Sequence, residues 1–77
     1  MTIEELRSAR DATPFRPFSI HLSDRRTYRI PQRDYLAVAP SGRTIIVYET
    51  NEAFRIIDFY LVNGLEYEAV TASSAAA

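Results

Sequence analysis

Two prolines three residues apart, Pro14 and Pro17, divide the chain into parts that obey different periods. Proline locks its own φ, lacks an amide hydrogen and pushes the residue before it out of the helical region. Thr13 and Arg16 are therefore not expected to be helical, and a helix begun earlier must stop near Ala12. Upstream, Thr2-Ile3-Glu4-Glu5 has the capping-box pattern: Thr2 can accept from the Glu5 amide while the Glu5 carboxylate reaches back. Ile3, Leu6 and Ala9 fall on one side, and Glu4 and Arg7 stand three apart, where they can pair. This predicts a short helix over about residues 3–12, with an apolar stripe too thin to hold it without tertiary support.

Downstream of Pro17 the period becomes two. Phe18, Ile20 and Leu22 alternate with Ser19, His21 and Ser23, the pattern of a half-buried strand. Ser23-Asp24-Arg25-Arg26 is a polar turn, and Tyr28 and Ile30 continue the apolar face in a second strand, ended by Pro31. Tyr35 to Ala39 gives a third strand, closed by Pro40-Ser41-Gly42-Arg43. Thr44 to Glu49 is the fourth, with Ile45 and Val47 on one face and Ile46 and Tyr48 on the other. Phe54 to Asp58 is the fifth, also apolar on both faces. Phe59 to Asn63 bends or extends it, Gly64 is the expected kink, and Leu65 to Glu68 resumes alternation. The tail 71–77, Thr-Ala-Ser-Ser-Ala-Ala-Ala, has nothing large to pack and is expected to be disordered.

A short helix followed by five or six strands at spacings of about ten residues predicts a mainly β fold, a small, strongly bent antiparallel barrel over residues 1–70. With 77 residues there is room for one domain, which buries only roughly 60–65% of the surface of its unfolded chain. Domains of this size gain support from disulfides, metals or a partner. Cysteine is absent and His21 is the single histidine, so thiolate sites and disulfides are excluded and no cofactor or metal is expected. That leaves association. No leader-like segment opens the chain and no apolar run approaches the ~20 residues needed to span a bilayer, so a cytoplasmic protein without membrane contact is expected.

All nine cationic side chains are arginine, a usage that fits coding bias in a GC-rich genome and equally suits bidentate contacts to phosphate or carboxylate. They are unevenly spread. Residues 16–43 hold six arginines against Asp24 and Asp34; residues 44–77 hold Arg55 against Glu49, Glu52, Asp58, Glu66 and Glu68. The halves can balance each other within the fold, meet across a subunit contact, or present a basic hairpin to nucleic acid. In the last case Arg25, Arg26, Arg29 and Arg33 would contact phosphate, with Tyr28 and Tyr35 stacking bases. The overall charge of −1 speaks against strong nonspecific nucleic-acid binding.

Other candidates have plain structural readings. Phe15 and Phe18 can plug the end of the barrel where the helix hands over to the sheet. His21, with Ser19 and Ser23 on its face, is thin support for acid–base catalysis, which needs a second group held in reach. Asp58, in the apolar run Phe59 adjoins, is expected to pair with an arginine or to cap the turn at Phe59-Tyr60. Apolar residues on both faces of the fourth and fifth strands exceed what one tiny core absorbs, and such a surplus marks an interface. Ile46, Tyr48, Ile57, Phe59 and Tyr60 are its expected members.

The order of elements, helix then bent strands, resembles that of Sm-like barrels; SH3-like barrels usually lack the helix. Sm proteins place an aspartate, a hydrophobic residue and an asparagine after their second strand to bind RNA, whereas Asp34 and Tyr35 here have no following asparagine. Arg16-Pro17-Phe18 and Gly42-Arg43 also match a frame that resembles a group of short uncharacterised bacterial proteins, whose Asp-Gly-Arg turn corresponds to Asp24-Arg25-Arg26. That resemblance implies a bacterial source and a positive φ at Arg25. The chain is thus expected to be a non-enzymatic interaction module whose partner is a second copy or another protein, with nucleic-acid binding as the alternative.

Overall fold

The first helix, α1 (Ile3–Asp11), starts as its capping box dictates. The Glu5 amide donates to Thr2 Oγ1 at 3.2 Å, and the Thr2 amide donates to Glu5 Oε1 at 2.7 Å. Arg7 pairs with Glu4 at 3.0 Å on the solvent side, while Leu6 and Ala9 are buried. The helix stops at Ala12, which is extended, one residue before the cis peptide bond between Thr13 and Pro14. These statements and those below rest on a computed structural model that describes residues 1–68. The tail expected to be disordered, 71–77, lies outside the described residues.

Six strands follow: β1 (Phe18–Leu22), β2 (Thr27–Ile30), β3 (Leu36–Val38), β4 (Thr44–Tyr48), β5 (Phe54–Asp58) and β6 (Val62–Tyr67). They form two three-stranded antiparallel sheets, ordered β2-β1-β6 (sheet A) and β3-β4-β5 (sheet B). The protein is therefore mainly β with one N-terminal helix, as its pattern predicts. The two ladders are separate, so the strands do not close one continuous hydrogen-bonded barrel.

Two single turns of 3-10 helix make the corners between the sheets. Arg33–Tyr35 joins β2 to β3, so Tyr35 belongs to the corner rather than to the third strand. Phe59–Leu61 joins β5 to β6. Asp58 caps this second corner, its Oδ1 accepting from the Tyr60 amide at 2.9 Å, which is why a carboxylate stands at the end of an apolar run. The kink expected at Gly64 is displaced: β6 bulges against β1 at Asn63, where partners pass from His21–Gly64 to Leu22–Val62. An extra residue in one strand bends it, and Gly64 lies inside the ladder beside that bend.

Alternation decides what is buried. Phe18, Ile20 and Leu22 of β1 all face inward, meeting Ile30 and Val62 of the same sheet and Leu36, Ile45, Val47 and Ile57 of sheet B. Leu6 and Ala9 close the core from the helix, and Phe15 packs on Phe18 with ring centroids 5.8 Å apart. The stretch around Pro14 and Pro17 is a joint between helix and sheet. Gly42 (φ 77) turns β3 into β4, and a β-carbon there would lie 3.4 Å from Ile3, so the turn also seats the start of the helix.

Arg25 has φ 74 in the β1–β2 turn. A side chain in this left-handed region costs about 1–2 kcal/mol that glycine avoids. Arg25→Gly is expected to raise stability by about 0.5–1 kcal/mol after the entropic penalty of glycine, and the melting temperature by a few degrees. A thermal melt by circular dichroism checks this; a lower melting temperature would mean the side chain contributes more than its backbone costs.

Candidate interaction surface

The two outer sheet faces differ in chemistry. On sheet A the outward residues are polar and bonded to one another. His21 Nδ1 lies 3.0 Å from Thr27 Oγ1 and its Nε2 lies 2.8 Å from Glu66 Oε1. Arg29 pairs with Glu68 through both Nε and Nη2. The partners of His21 come from β2 and β6, not from Ser19 or Ser23 on its own strand. The ring is tethered between them on an open face.

On sheet B the outward residues are apolar except for the Thr44–Asp58 pair at one end. The register sets Ile46 opposite Ile56 and Tyr48 opposite Phe54, and continues to Ala37 on β3. Ile56 is 68% exposed and Phe54 55%, while Tyr48 and Phe54 touch ring to ring at 6.0 Å. Cross-strand pairs of this kind stabilise a sheet, but Ile56 and two rings left in water beside a half-buried Ile46 are more than a monomer requires.

Of the expected interface residues, Ile46 and Tyr48 lie on this face. Ile57 does not. It is 3% exposed and pairs with Ile45 on the inner side, so it belongs to the core, and Ile56 takes its place outside. Adjacent isoleucines made the parity of β5 ambiguous in sequence; the pairing with β4 resolves it. Phe59 is half-buried against the core, and its amide donates to the Arg43 carbonyl at 2.7 Å. Tyr60 is 76% exposed, but at the 3-10 corner, with the Arg43 guanidinium 5.1 Å from its ring centroid. Phe54 and Ile56 escaped the sequence reading because nothing in Phe54 to Asp58 says which isoleucine faces out.

The arginine hairpin is largely committed to its own fold. Arg26 donates to Asp24 at 2.8 Å and to the Tyr28 hydroxyl at 3.2 Å. Arg33 donates to the carbonyls of Arg10 and Ala12 at 3.2 and 2.6 Å, satisfying the open end of α1. The backbone amide of Arg26, and then its guanidinium, hold the Asp24 carboxyl below its ordinary pKa; Arg29 does the same for Glu68. Among the described residues Arg25 is the one hairpin arginine whose guanidinium has no hydrogen-bonded partner; its amide donates to the Leu22 carbonyl at 3.0 Å. Tyr28 and Tyr35 are half-buried and pack against the core. The charge split is thus balanced in part inside the molecule, through Arg29–Glu68.

Comparison with protein-family models, with curated proteins and with solved structures finds no match. Among the described residues no helix is long and apolar enough to cross a membrane.

Proposed function

We propose that the chain is a non-enzymatic, cytoplasmic interaction module that self-associates through the outer face of sheet B. The observation carrying this reading is the apolar quartet of half-buried Ile46 and exposed Tyr48, Phe54 and Ile56, set as two cross-strand pairs on one face. A domain this small gains most from burying such a face, because its own core is limited. The polar, internally bonded face of sheet A supplies no comparable surface.

The fold we assign to it is a small barrel of the SH3-like or Sm-like kind. Two features support this: a 3-10 corner carries the chain from β2 in one sheet to β3 in the other, and a second 3-10 corner leads into the last strand. The positive φ of Arg25, where the resembling bacterial proteins carry glycine, supports kinship with that group.

Ile56→Lys tests the function. Its side chain is outside, so folding stability is expected to stay within about 0.5 kcal/mol. In sedimentation velocity the wild-type protein is expected to exceed the 8.8 kDa of one chain, increasingly so at higher concentration. The variant is expected to remain a single chain. A wild-type protein that stays monomeric throughout, or a variant that assembles equally well, would remove this reading.

A further inference from the structure

A groove runs between the outer edge of β2 and the end of β4, in two adjoining parts of about 380 Å³ and 550 Å³ that share Tyr35, Tyr48 and Glu49. Tyr28 and Pro31 add to the first part, and Phe54 to the second, so four aromatic rings stand along its walls. Three observations say what fits there.

One is the backbone. β2 is an edge strand, hydrogen-bonded only to β1 within its sheet. The Leu22 amide donates to the Arg26 carbonyl, and with the register Ile20–Tyr28 this phase turns the peptide groups of Tyr28 toward β1. The N–H and C=O groups of Thr27 and Arg29 then point away from β1, and both residues line the groove. An extended segment can pair with them by strand addition.

Another is charge. Asp34 and Glu52 line the second part, and among the described residues neither pairs with a cationic side chain; Glu49 is shared with Arg55 at 3.1 Å. The third is the rings. The chain stacks its own arginines on Phe15, Tyr28, Tyr60 and Tyr67. Among the described residues Tyr35, Tyr48 and Phe54, beside the unpaired carboxylates, carry none. Open π faces next to carboxylates favour a guanidinium or ammonium group.

We infer that this groove binds an extended basic segment of another protein, which adds as a strand to β2 and sets an arginine or lysine side chain against the Tyr35–Tyr48–Phe54 wall near Asp34 and Glu52. A peptide, rather than a free small cation, is selected because the open strand edge runs alongside the cation site. The site is complete within one chain, and because Tyr48 and Phe54 also belong to the proposed self-association face, a second copy and the peptide compete for them.

The test is an anisotropy titration of a fluorescein-labelled peptide of alternating valine and threonine with a central arginine, on the wild-type protein and on Ile56→Lys. Saturable binding to both proteins is expected, with the wild type reaching it only at concentrations low enough to keep it a single chain; it is weakened about tenfold when glutamate replaces the central arginine and by a similar factor in the Asp34→Asn, Glu52→Gln double variant. Proline at the positions flanking the arginine is expected to abolish binding, since it removes the pairing amides. In ¹H–¹⁵N spectra the amides of Thr27 and Arg29 should shift and become protected from exchange. No binding of the arginine peptide, equal binding of its glutamate version, or binding that survives proline would each overturn the inference.

Discussion

Lysine in place of Ile57 is expected to unfold the chain at room temperature, while lysine at the adjacent Ile56 leaves it folded. Ile57 is 3% exposed in a core where, among the described residues, no polar or charged side chain is buried. An ammonium group placed there has no counter-ion to meet it, and an unpaired buried charge costs several kcal/mol, on the order of the whole stability of a domain this size. The alkyl chain cannot reach water without displacing Ile45 or the strands that carry it. Far-ultraviolet circular dichroism and a urea titration check the result. If the Ile57 variant were folded and merely altered in mass, β5 would be shifted by one residue, because such a slip exchanges the inner and outer faces. The pair of variants therefore tests the register and the proposed face together.

Truncating Phe18 to alanine is expected to cost about 3–5 kcal/mol, the range for removing a fully buried aromatic side chain. Phe18 has no exposed surface and sits at the centre of the joint. It contacts Phe15 from the linker at 5.8 Å and Tyr67 from β6 at 6.0 Å, edge to face. Its loss removes transfer energy and leaves a cavity that helix, linker and last strand must collapse to fill. For a domain whose total stability is about 4–12 kcal/mol, the melting temperature should fall by at least about 15 °C. A change below about 1 kcal/mol in a urea titration would mean that α1 and β6 do not depend on this contact.

The contrast between the sheet faces is what gives the molecule a functional direction. Sheet A ends its outer face in closed polar contacts: His21 is held by Thr27 and Glu66, and Arg29 by Glu68. Sheet B leaves Ile56 and Phe54 in water, and in the groove beside β2 the rings of Tyr35, Tyr48 and Phe54 and the carboxylates of Asp34 and Glu52 have no cation of their own among the described residues. Three of the four hairpin arginines have partners within the fold, and the Arg25 guanidinium has none among the described residues. Arg33 finishes α1 and Arg26 braces the turn, so their charge already has an internal role.

What the sequence by itself determined was local. The Thr2–Glu5 capping box, the end of the helix before Pro14, and the inward set Phe18, Ile20 and Leu22 each depend on residues within a few positions of one another. Short-range sterics and hydrogen bonding decide such features wherever the segment sits. What only the tertiary structure decided was everything that depends on parity or partners. In β5, two adjacent isoleucines satisfy either face equally, and only the ladder with β4 sends Ile57 inward and Ile56 outward. Strands split by the corner at Arg33–Tyr35 fall into two sheets, placing β2 at an open edge beside Tyr48. His21 meets Glu66, 45 positions away, because β6 returns to pair with β1. Side-chain alternation is written along the chain, but which strand lies opposite is settled by packing the whole core at once.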